Sequence, residues 1–214
     1  MRARRCNPFP AAIAIVLLSG IALAQQKVER IALPTRGLPE AILHDVEEKG
    51  YRLTLDHGWI ADFWPTEQLL ETEKTVAGAL YPKIEPSAFV GIIVLHQDMP
   101  DYRGQTIRAG AYTLRYELLP QDGNHLGVSP NPDFLLAIPA NDDPNPVQPR
   151  VLKHVVAMSS KSTGTNHPAV IALENAGEPG TMTKSDQGAV FSVAIPTGPG
   201  SEKLGICFTC SASQ

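Results

Sequence analysis

Two short loops hold the residues best suited to chemistry. Asp122-Gly123-Asn124-His125 and Gly164-Thr165-Asn166-His167 each set an Asn-His pair shortly after a glycine. Two neutral imidazoles, His125 and His167, with a carboxylate from Asp122 or Asp133, form a ligand set for a divalent metal with one position left for water. That would be the chemistry of a metal-dependent hydrolase. Without a metal, Asp122, Asn124, His125, Asp133, Asn166 and His167 would make a polar ligand site. The plainer reading carries more weight than either: Asn and Gly build turns, and a loop histidine commonly bonds nearby backbone. A third group is Thr113, Arg115 and Glu117, which alternate with Tyr112, Leu114, Tyr116 and Leu118. That period of two puts them on one strand face, expected to be wet. The planar fork of Arg115 suits a carboxylate or a sugar, although such a row is more often only a solvated sheet face.

Other residue types say less. The chain has no Gly-x-Ser-x-Gly, phosphate loop, His-Glu-x-x-His or Rossmann glycine pattern, which lowers the weight of an enzyme reading. Asn141, Asp142, Asp143 and Asn145 offer oxygens to Ca²⁺. The prolines among them break the ligand spacing of known loops, so this segment reads as a solvated connection. Trp59 and Trp64 fall on opposite faces of one strand, which leaves one of them open to solvent. His44, His57, His96 and His154 have no partner that the sequence identifies. Cys207 and Cys210 lie in an alternating run, and in a straight strand their Cα atoms would stand roughly 10 Å apart. A bridge needs a turn or bulge, so they read as packing residues.

The elements that must position these residues are mostly strands. Residues 111–118 alternate, and residues 133–138 are apolar without a break beyond Asp133, the mark of a strand covered on both faces. Residues 120–132 between them are rich in turn formers. Upstream, residues 39–49 predict a helix opened by Pro39 and stopped by Gly50. Residues 51–55 and 59–64 predict a hairpin around Asp56-His57-Gly58. Residues 66–87 have no clear period, and residues 89–95 predict a second fully covered strand. Downstream, residues 149–161 predict a second helix, and residues 169–174, 188–195 and 203–210 predict three more strands. The fold class is therefore mainly β: a sandwich or partly closed barrel with two short α-helices.

The runs at 109–116, 120–127 and 133–140 resemble an uncharacterised family of secreted bacterial β-rich proteins. Its shared signature is an AGxYTLRY strand, a QPxDGNHxG loop and a DFLLxxPA strand, and the Ser162–Val170 run STGTNHPAV resembles it too. The resemblance implies a small β-rich secreted domain and brings no activity with it.

The N-terminus reads as a signal peptide: Arg2, Arg4 and Arg5, an apolar stretch over 11–23, and small residues Ala22 and Ala24 around a cleavage point. Cleavage after Ala24 would leave one domain over 25–214, with a helix-and-hairpin part at 25–88 and the main sheet at 89–214. It would also remove three of the 18 basic residues, leaving 15 against 22 acidic ones. That balance disfavours nucleic acid as a partner. No transmembrane segment is expected in the mature chain. The sequence thus favours a secreted or periplasmic, non-enzymatic domain that binds a small molecule or an envelope component. A metal-dependent hydrolase built on His125 and His167 and a purely structural envelope protein are the alternatives. No cofactor is expected apart from that metal.

Overall fold

The computed structural model describes residues 26–120 and 127–212. The signal-peptide expectation, and Asp122, Asn124 and His125, lie outside the described residues. The described chain forms strands β1 (Lys27–Ala32), β2 (Lys49–Thr54), β3 (Ile60–Pro65), β4 (Phe89–Leu95), β5 (Met99–Pro100), β6 (Thr106–Ile107), β7 (Gly110–Leu118), β8 (Asp133–Pro139), β9 (Ala169–Glu174), β10 (Thr181–Lys184), β11 (Ala189–Pro196) and β12 (Ser201–Cys207), with helices α1 (Glu40–Leu43) and α2 (Leu152–Thr163).

Ten strands make one antiparallel sheet in the order β1-β2-β3-β4-β7-β8-β9-β12-β11-β10. It curls into a nearly closed barrel whose edge strands, β1 and β10, approach each other. The expected class, mainly β with a partly closed barrel and two helices, is what the chain adopts. Strands β9 to β12 form a Greek-key arrangement, since β12 returns to pair with β9. Tyr51 and Phe191, one strand in from each edge, meet edge-on at 4.9 Å between ring centroids and fasten the seam from within. The Arg30 guanidinium stacks 4.1 Å over the Tyr51 ring.

Strand alternation explains the core. Leu53, Phe63, Val90, Ile93, Tyr112, Leu114, Tyr116, Leu135, Ala137, Phe191, Val193 and Leu204 point into the barrel. Their neighbours in sequence point outward and are covered as well. Phe134, Leu136, Ile138 and Val170 pack under α2, with Val155 against them. Trp64, Phe89 and Ile92 pack under the α1 segment, against Ile42 and Val46. This is why residues 89–95 and 134–138 carry apolar side chains at every position but Gly91. Ser159 and Ser162 of α2 both donate to the Ala137 carbonyl, at 2.7 and 2.8 Å, and dock the helix on β8.

Residues 66–88, without a period in sequence, are a long excursion that plugs one barrel end. Leu69, Tyr81 and Ile84 enter the core there. The β5–β6 hairpin plugs the other end with Met99 and Ile107. The interior is filled by side chains. The first helix is shorter than expected, four residues instead of eleven, because Lys49 already belongs to β2 and Val46 bridges to Thr66. The second starts at Leu152, three residues after Pro149, and ends on Gly164 in the left-handed conformation.

Candidate functional site

The described parts of the two loops read from the sequence stand at opposite ends of the barrel. Strand β8 begins at Asp133 and β9 pairs with it antiparallel, Ala169 opposite Ala137 and Ala172 opposite Phe134. The described stems of the 119–132 loop therefore lie at the barrel end closed by residues 66–88. The segment carrying Asn166 and His167 lies at the opposite end, about four strand steps or ~13 Å along the sheet. Asn166 and His167 are exposed. Their loop bonds to the β5–β6 connection, through Thr165 Oγ1 to Gln105 Oε1 (2.9 Å) and Arg103 Nη2 to the Pro168 carbonyl (2.7 Å). Among the described residues no three His, Cys, Asp or Glu side chains gather as a metal-ligand set.

Asp133 and Arg115 are buried struts. The Asp133 carboxylate accepts the Leu80 N–H (3.0 Å), the Tyr81 N–H (2.8 Å) and the Tyr116 hydroxyl (3.3 Å), which ties the 66–88 plug to the barrel wall. Thr113, Arg115 and Glu117 do face away from the barrel interior, but their face is not wet: all three are buried. Over Thr113 and Arg115 the reason is the 140–150 segment, which folds across them. Arg115 meets Asp143 as a fork, Nε to Oδ2 at 2.8 Å and Nη2 to Oδ1 at 2.9 Å, with both side chains fully buried. Thr113 Oγ1 adds a bond to Asp143 Oδ2 (2.8 Å), and Arg115 Nη1 donates to the Ser87 and Gln148 carbonyls (2.7 and 3.2 Å). Asp143 thus belongs to a buried ion pair and not to a solvated connection. Arg115 has no group turned to solvent with which to grip a ligand.

Cys207 and Cys210 are disulfide-bonded, with Cα atoms 5.4 Å apart. The strand expectation failed because β12 stops at Cys207, and the bend that follows returns Cys210 beneath α2.

The arrangement that looks built for a ligand is on the outer face of β1–β4. The β2–β3 hairpin register sets Arg52 directly opposite Asp62. Arg52 donates Nε to Asp62 Oδ1 and Nη2 to Oδ2, both at 2.8 Å. His96, just past β4, places Nε2 2.8 Å from the same Oδ2. Asp62 is 5% exposed. Burial pushes its carboxyl up, and the bonds from Arg52 and His96 more than offset this, holding it below the ordinary carboxylate range.

Beside this cluster lies a cleft of ≈ 310 Å³, walled by residues 31–38 and lined also by Trp64 and Val94, with Arg36, Arg52 and Asp62 among its lining residues. Trp64 points outward, as its spacing from Trp59 requires, yet it is only 2% exposed, and Trp59 is half-buried; the expectation of a solvent-facing tryptophan is not met. Its indole lies against the backbone of Gly50, where any side chain would collide with the ring and with the Phe63 carbonyl. Glycine there is what lets the indole lie across β2 toward β1. Its Nε1 is buried with no hydrogen-bond acceptor, a deficit of about 1–3 kcal/mol unless an acceptor arrives.

Half of this site was readable in sequence. A turn at 56–58 flanked by Leu55 and Trp59 fixes Arg52 against Asp62. The place of His96 depends on the β3–β4 register, set by the 66–88 excursion, and nothing local signals it. No family model, curated protein or solved structure matches the chain. Among the described residues no helix is long and apolar enough to cross a membrane.

Proposed function

We propose that this is a non-enzymatic binding domain of the secreted or periplasmic compartment, taking a small molecule or a piece of an envelope component in the outer-face cleft of β1–β4. One observation carries the reading: Trp64, whose buried indole N–H has no acceptor among the described residues, lines a cleft together with Arg52 and Asp62, the pair that His96 also joins. Concave sites with apolar walls and a few fixed polar groups are where small ligands bind. The filled barrel interior and plugged ends support an external site over an internal one. The Cys207–Cys210 bridge supports export, because disulfides persist in oxidising compartments. Intact mass of exported protein tests cleavage after Ala24.

The binding reading is tested by a thermal-shift screen of carboxylates, phosphates, amines, sugars and short peptides. A ligand that binds the folded state raises the midpoint. Val94 is half-buried and lines the cleft. Val94→Phe should fill the cleft and remove the ligand-induced rise while leaving the circular dichroism spectrum unchanged. A screen in which no class raises the midpoint would overturn the reading in favour of a purely structural envelope protein.

A further inference from the structure

Resting on that reading, we infer that the cleft is selective for an apolar molecule headed by an oxyanion, a carboxylate or a phosphate. The argument is an inventory of hydrogen-bonding capacity. Among the described residues Asp62 is the one carboxylate lining the cleft, and both its oxygens are engaged: Oδ1 by Arg52 Nε, Oδ2 by Arg52 Nη2 and His96 Nε2. What remains available are donors. Arg52 Nη1 has no hydrogen-bond partner among the described residues after the Nε and Nη2 fork to Asp62. Arg36 is exposed on the rim and forms no ion pair among the described residues. Trp64 Nε1 has no acceptor.

An acceptor-rich headgroup satisfies the two guanidinium groups, whose forks match the geometry of oxyanions, and its charge acts on the buried Trp64 indole beside them. An amine would meet two guanidinium groups and no free carboxylate. Glu29, opposite Arg52 on β1, also acts on its charge and lies outside the cleft lining. The walls choose the rest of the molecule. Ile31, Pro34, Leu38 and Val94 contribute apolar side chains to a mostly apolar lining, so the body behind the headgroup is apolar. A free sugar, with as many donors as acceptors and no apolar body, fits neither half.

Isothermal titration of the purified protein with 3-phenylpropionate, 3-phenylpropyl phosphate, 3-phenylpropanol and 3-phenylpropylamine tests this. The body is constant and only the headgroup varies. The two oxyanions should bind at least roughly tenfold more tightly than the alcohol, and the amine should show no heat. Whichever oxyanion binds more tightly identifies the headgroup. Arg36→Gln, at an exposed position, should reduce the preference for oxyanion over alcohol by about fivefold without lowering the melting temperature. The chain has two tryptophans, so its ¹H–¹⁵N spectrum holds two indole cross-peaks, and Trp59→Phe assigns them. The Trp64 indole peak should move with the oxyanions and stay in place with the alcohol. Equal affinity for the alcohol or amine, or an unmoved indole peak at saturation, would overturn the selectivity while leaving the cleft a binding site. If none of the four binds but another class in the thermal screen does, the inferred class is wrong. If nothing binds in either experiment, the binding reading falls with it.

Discussion

Glu117 carries the molecule's main pH signature. It is 2% exposed and its Oε1 has no hydrogen-bond partner. Burial raises its carboxyl to about 8, with the Arg115 charge pulling partly back. The sign follows from proton counting. Between pH 4.5, the ordinary value, and about 8 the folded chain keeps a proton that the unfolded chain has released. The stability this group contributes is complete below pH 4.5 and drains away as pH rises through 8, by up to about 1.4 kcal/mol per pH unit. Urea unfolding of Glu117→Gln should therefore match the parent near pH 4.5 and exceed it by a few kcal/mol at pH 8.5. Glu47 and Glu202 are raised as well, by burial first, so the difference between parent and variant is the informative quantity. Parallel stability curves for the two proteins would contradict this assignment. Single residues were unevenly legible in the sequence. The alternation at 111–118 correctly put Arg115 and Glu117 on one face, but whether water or protein covers a face is decided by distant chain. Here the cover is residues 140–150, whose acidic and prolyl composition suggested solvent.

At the scale of elements, the same cover rests on Asp143, which pairs with the buried Arg115 at 2.8 Å and, at 3.5 Å, with the partly exposed Arg150. Asp143 joins β7 to the segment between β8 and α2 through Arg115 and Thr113. Removing one partner of a buried pair strands the other charge, so Asp143→Asn should cost about 3–5 kcal/mol. The double replacement Arg115→Met with Asp143→Leu should cost distinctly less, since it strands neither. Equal losses in chemical denaturation would show that the segment is held by other contacts. The C-terminal strand offers a second test. The Cys207–Cys210 bridge closes a very short loop, so chain entropy credits it with only about 2 kcal/mol. Replacing both cysteines by serine should lower the melting temperature by several degrees in calorimetry. An unchanged midpoint would mean that the bend after β12 is held by packing alone. The alternation up to Cys207 was legible, and the end of the strand was not, because pairing with β9 and β11 stops there for reasons outside the local sequence.

At the scale of the molecule, the sheet is a filled barrel clad on its outer face, and cladding is what makes the candidate site. Residues 31–38 leave the cleft between themselves and the outer face of β2–β4. The apolar runs at 89–95 and 133–138 told of a doubly covered sheet, which is why the fold class was readable. The site was not readable as a whole, since β1, β2, β3 and the residue after β4 meet only once the sheet is assembled. The Asn-His loops looked promising because their composition is unusual, but strand direction sends their described parts to opposite ends. The most direct test is backbone amide shift mapping of the ¹⁵N-labelled protein with 3-phenylpropionate. The cleft account predicts that the largest shifts fall at residues 31–38, 50–52, 62–64 and 94–96. Shifts concentrated instead at residues 127–132 or 163–168, with the cleft silent, would contradict it.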